Sequence, residues 1–100
     1  MNCTFLPAAE AEYLEAVRFF EEQRAGLGGD LIREFERIVS LVIERPTAWK
    51  LVHPSGIRRI GMTRFPFAVF YRVLPNGRAQ VTAFAHFRRR PGYWLKRTGV

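Results

Sequence analysis

No aspartate or glutamate follows Glu44, so residues 51–100 contain no acidic side chain. That absence takes carboxylate acid–base work out of half the chain, leaving His53 and His86 as its near-neutral titrating groups beside Arg, Lys and Tyr. Cysteine is almost missing too: Cys3 stands alone, which excludes an internal disulfide and fits a reducing compartment. With no other ligand at close spacing, no metal site and no cofactor is expected. No apolar run approaches the roughly 18 to 20 residues that span a bilayer, and no basic segment followed by an apolar one opens the sequence, so a soluble cytoplasmic protein is expected.

What is present suits one compact fold. The chain has 100 residues, 48% of them hydrophobic and 25% charged, enough apolar material for a single domain over residues 1–100. Residues 1–50 carry nine acidic side chains against six basic ones, a net −3, whereas residues 51–100 carry ten basic ones, a net +10. The positive half should attract a polyanion or an acidic protein segment.

Cys3 to Leu6 reads as a short strand, and Pro7, with its preset φ and missing donor, suits the first turn of a helix. Tyr13, Ala16, Val17 and Phe20 recur at helical spacing, and Gly26-Leu27-Gly28-Gly29 ends that helix and folds the chain back. A second helix carries Leu31, Phe35, Ile38 and Val42 on one stripe and stops at Pro46. The expected result is a helical hairpin. Trp49 reads as packing, and His53-Pro54-Ser55-Gly56 as a connection.

From residue 57 the period changes to 2, predicting strands over Ile57–Thr63, Phe67–Leu74 and Ala79–Phe87. Asn76-Gly77 signals a two-residue type I′ hairpin, which sets Phe67 opposite His86, Val69 opposite Phe84, Tyr71 opposite Thr82 and Val73 opposite Gln80. Val81 then falls on the second face with Ala68, Phe70, Arg72, Ala83 and Ala85. Both faces are largely apolar. The helices cover one, so the other is expected to stay open, with a basic rim, for a partner.

Three stretches in order carry a family likeness: Ala9 to Phe20 leading into Gly26-Leu27-Gly28, Arg64 to Val73, and His86 to Trp94 with Arg97 beyond. Together they resemble the RelE/ParE superfamily of bacterial type II toxins, and the combination is similar to its ParE branch. The resemblance implies a small α+β domain, β-α-α-β-β-β, with an N-terminal strand and a helical hairpin packed on an antiparallel sheet. It also implies a plasmid-stabilisation type of module, in which a cognate antitoxin with a flexible acidic segment neutralises a growth inhibitor. For the ParE branch the implied target is DNA gyrase; for the RelE branch the implied act is cleavage of ribosome-bound mRNA.

The RelE pattern matches Arg59, Arg88 and Tyr93 but places an arginine where Ala68 stands and a second basic residue where Gly61 stands. A methyl group cannot hold a phosphate, so a ParE-like inhibitor that binds without catalysis is the first reading and a RelE-like endonuclease the second. Nonspecific nucleic-acid binding by a basic domain is the third, although no helix presents an Arg- or Lys-rich reading face. On the first reading Arg88, Arg89, Arg90, Tyr93, Trp94, Lys96 and Arg97 are the target-binding candidates. Arg58, Arg59, Phe70, Arg72 and Arg88 are the candidate antitoxin contacts. His86 reads as a structural histidine and His53 as an exposed loop residue. Removing the chain beyond Arg90 is expected to abolish toxicity and leave the fold intact.

Overall fold

The computed structural model describes residues 3–98. Strand β1 (Cys3–Phe5) leads into helices α1 (Pro7–Gln23) and α2 (Leu27–Glu44), then strands β2 (Lys50–His53), β3 (Ile57–Gly61), β4 (Phe67–Val73) and β5 (Ala79–His86), and a closing 3-10 turn at Leu95–Thr98. Among the described residues the five strands form one sheet in the order β1-β5-β4-β3-β2. The architecture is the expected α+β, with two corrections. The sheet is mixed, because β1 runs parallel to β5 while the other pairs are antiparallel. Strand β2 is an addition: four residues, two of them exposed, are too few to show a period of 2 in the sequence. No helix among the described residues is long and apolar enough to cross a membrane.

The helices form where the apolar stripes predict. From α2, Leu31, Phe35, Ile38 and Val42 are buried against Val69, Tyr71, Val81 and Phe84 of the sheet, and Ala9 and Ala16 bring α1 close. Rings of Phe5, Tyr13, Phe35 and Phe84 interlock, with centroids 4.5–6.0 Å apart. The glycine run is not only a turn. Gly28 lies inside α2, and a Cβ there would stand 2.8 Å from the Val17 carbonyl oxygen, so the glycine lets the helices touch. Glu21 of α1 accepts the Gly26 and Gly28 amides at 3.0 Å, capping the start of α2. Glu34, almost fully buried, does the same for the β3–β4 turn, accepting from the Thr63 amide and hydroxyl at 2.9 Å and from the Arg64 amide at 3.4 Å.

The β4–β5 hairpin corrects the register. Asn76 does not take the positive φ that type I′ requires; Gly77 does, at 84°, and donates to the Leu74 carbonyl across Pro75 and Asn76. The loop therefore has three residues, a tight turn closed by a left-handed glycine, and it pairs Val73 with Ala79 and Tyr71 with Val81. One residue later the offset is recovered by a bulge at Thr82, whose hydroxyl donates to the Phe70 carbonyl at 3.1 Å. Phe70↔Ala83, Val69↔Phe84 and Phe67↔His86 then pair as the two-residue loop predicts. The bulge puts Val81 and Phe84 on the same face, so Val81 belongs to the helix-side core and not to the second face.

That second face is left only partly open. The chain beyond β5 turns back over it, burying Trp94 against Ile57 and Ala83 with Phe70 alongside. Truncation after Arg90 would strip this cover from Ile57, Ala83 and Phe70, which argues against a fold that survives it unchanged.

A basic groove latched by Glu12

Three small residues line up across neighbouring strands on the second face, Gly61 opposite Ala68 and Ala68 opposite Ala85. Their lack of bulk leaves a hollow between Phe70 and Phe87. With the returning tail as one bank, it becomes a groove of about 340 Å³. Its charged rim is Arg59, Arg89 and Arg90, with no carboxylate among the lining residues.

His53 lines this groove, which its sequence context did not signal; His86 borders it at the end of β5, but its ring packs edge-on against Phe67 on the helix side, centroids 5.4 Å apart. His53 Nδ1 lies 2.6 Å from the Ser55 hydroxyl and accepts the Ser55 amide at 3.2 Å; His86 Nδ1 accepts the Arg88 amide at 3.0 Å. An imidazole accepting at Nδ1 carries its proton on Nε2, so each ring has a donor as its remaining nitrogen. The lone pair that a general base needs is already used.

The tail is fastened through Glu12 of α1, a residue the sequence reading passed over because its helical position is simply polar. β1 ends at Phe5, so β5 has a bare edge beyond Val81. Glu12 Oε1 accepts the Phe84 amide on that edge at 3.1 Å, and Arg97 donates to the Thr82 carbonyl at 3.2 Å. Two side chains thus occupy the hydrogen-bonding positions a further strand would take. The same carboxylate accepts the Arg97 fork, 2.9 Å to each oxygen, and the Tyr93 hydroxyl at 2.7 Å. Burial raises the Glu12 pKa, but the Arg97, Tyr93 and Phe84 hydrogen bonds together outweigh it and hold the carboxyl below its ordinary range. Burial, with the Glu12 bond and charge, pushes the Tyr93 phenol far above its ordinary value. Two guanidinium groups pack on the Tyr93 ring, Arg89 at 3.8 Å and Arg97 at 4.9 Å from its centroid.

The structure divides the sequence candidates. Arg89, Arg90, Tyr93 and Trp94 line the groove, but Trp94 is buried and Tyr93 and Arg97 are tied to Glu12. Arg88 and Lys96 are exposed and lie outside the groove lining. Arg59 and Phe70 line it as well. Arg58 instead donates to the Trp49 and Thr47 carbonyls, at 2.8 and 3.3 Å, and Arg72 to Gln80 at 2.9 Å. Of the three RelE-like matches, Arg59 and Tyr93 meet at the groove and Arg88 does not join its lining. No group of three or more His, Cys, Asp or Glu among the described residues could hold a metal ion.

Fold and groove define a class: a small α+β domain whose helices cover one sheet face and whose own tail half-covers a cationic second face. No family model matches the chain, and no curated protein matches it by sequence. Among solved structures it is similar to a chain of the chromosomal ParDE TA system from P. aeruginosa, with a TM-score of 0.70 and 15% identity over 86% of this chain and 95% of that one. The chain has a ParE-like fold.

Proposed function

We propose that this chain is the toxin of a type II toxin–antitoxin module, ParE-like in action, a cytoplasmic growth inhibitor that binds DNA gyrase and is neutralised by a cognate antitoxin. The observation that carries the non-catalytic part is the state of the groove's titratable groups. His53 uses its Nδ1 lone pair internally, the His86 ring is turned to Phe67 on the helix side, and Tyr93 is held in its phenol form by burial and by its bond to Glu12 behind the groove. Arginines to hold an anion are present; a group free to draw a proton from a ribose hydroxyl is not. The exposed cations Arg88, Arg90 and Lys96 form the effector surface toward the target, while Tyr93, Trp94 and Arg97 act by holding that surface in place. The antitoxin occupies the second face at Arg59 and Phe70.

The test sets two assays side by side: supercoiling by purified gyrase, and cleavage of mRNA on purified translating ribosomes. The proposal expects loss of supercoiling and intact message. Cleaved message with unimpaired gyrase would establish the RelE-like reading, which has Arg59 and Tyr93 at one groove in its favour.

A further inference from the structure

The groove is cationic and aromatic, a combination that suits either a nucleotide strand or an acidic peptide, and the disposition of its rings decides between them. A base needs a free ring face to stack on. Phe70 packs against Trp94, centroids 4.9 Å apart; the edge-on partner of Trp94 is His53; Phe87 carries the Arg59 guanidinium at 5.6 Å; Tyr93 carries those of Arg89 and Arg97. Among these rings Phe87, 51% exposed, keeps an open face, and a single face does not make the run of stacking platforms that a nucleotide strand needs. What the groove offers instead is an alanine floor, Ala68 and Ala85, between Phe70 and Phe87, with arginine forks on the rim and no acidic group to repel a carboxylate.

We infer that the groove takes an extended acidic peptide segment anchored by one bulky aliphatic side chain over Ala68 and Ala85, with flanking carboxylates on Arg59 and Arg90. The inference rests on the antitoxin reading above for the source of that peptide and goes beyond it in specifying the recognition. Charge complementarity argues for the occupant: an exposed guanidinium beside an apolar hollow gains most from a carboxylate that arrives with an apolar neighbour, since each partner desolvates the other's surroundings. Arg89 is less available, being stacked on Tyr93 and 4.0 Å from Glu12. Arginine contacts alone would accept any polyanion. The aliphatic anchor is what makes the groove selective.

The test uses the full chain and a fluorescein-labelled ten-residue peptide of Asp and Glu with one central Leu, beside the same peptide with a central Ala and a labelled ten-nucleotide single-stranded RNA, read by fluorescence anisotropy at physiological salt. The Leu peptide should bind at least tenfold more tightly than the Ala peptide. A68L, which fills the floor, should erase that tenfold preference while leaving the weaker Ala-peptide binding. R59E should weaken both peptides while leaving the thermal melt unchanged, since Arg59 is exposed. Equal binding of the two peptides to the wild type overturns the inference, as does A68L binding the Leu peptide like the wild type with an intact melt. Should A68L fail to fold, the Leu/Ala preference of the wild type and the weakening of both peptides in R59E/R90E carry the test. RNA binding tighter than the Leu peptide and blocked by A68L would hand the groove to nucleic acid. Self-association that either peptide fails to displace would hand it to a second copy of the chain. None of these readouts involves gyrase or growth, so the inference and the proposed function fail separately.

Discussion

Replacing Glu12 with glutamine keeps the shape of the latch and removes its charge. The carboxylate now receives two Arg97 bonds, the Tyr93 hydroxyl and the Phe84 amide, with the Glu12 and Arg97 side chains 17% and 20% exposed. An amide can still accept from Phe84, but its NH2 then faces donors, and the Arg97 cation loses its counter-charge. Breaking a fully buried pair costs about 3–5 kcal/mol; partial exposure of both groups brings the expected loss to about 2–3 kcal/mol. In a domain of this size that lowers Tm by about 10–20 °C. Two-state chemical denaturation of E12Q, R97M and the double variant supplies the check, and a coupling energy of about 1.5 kcal/mol or more is expected. Additivity within about 0.5 kcal/mol would show that the fork is a surface pair of little consequence and that Trp94 holds the tail unaided.

Four further outcomes follow from the packing. Acid should destabilise the wild type more than E12Q. Burial raises the Glu12 and Glu34 carboxyls, their hydrogen-bonding donors lower them further still, and the net direction is down, so the stabilisation is complete above the ordinary carboxylate range and lost as pH falls through and below about 4.3. Urea midpoints at pH 7 and pH 3 measure the difference. G28A should cost about 2 kcal/mol or more, because the new Cβ meets the Val17 backbone oxygen at 2.8 Å, whereas G29A, whose nearest neighbours are the flexible Arg33 guanidinium atoms at 3.5 Å, should gain about 0.5 kcal/mol in helix propensity. Thermal melts of the two variants should therefore shift in opposite directions. E34A strands two amides of the β3–β4 turn and should cost about 2–3 kcal/mol by the same measurement. W49F removes a buried indole N–H that has no hydrogen-bond partner in the structure, offsetting lost ring contact, and should change stability by less than about 1 kcal/mol; it also leaves Trp94 as the sole tryptophan for fluorescence.

Much of the fold was legible because it rests on local patterns. The stripes Tyr13–Phe20 and Leu31–Val42 and the alternation in β3, in β4 and in β5 beyond Thr82 each encode which way a side chain faces, and the structure places them so. β2 was hidden by its brevity, and the parallel pairing of β1 with β5 by being a contact between chain ends. The register error came from reading Asn76-Gly77 as a two-residue loop; the Thr82 bulge cancelled it halfway along β5, which no sequence pattern announces. The site was legible in part. Charge marked the arginine-rich end of β5, but Ala68 was read only for the arginine it replaces, although its smallness makes the groove floor. Glu12 lies 85 residues from Arg97, so nothing in its surroundings distinguished it from the other glutamates of α1.

Turnover is the most direct test of the proposal that the groove binds without breaking bonds. Purified chain is mixed at one-tenth the concentration of mRNA-bearing, translating ribosomes, and transcript ends are mapped over time. No new ends should appear above the ribosome-only control; multiple cuts per molecule of added protein would contradict the proposal.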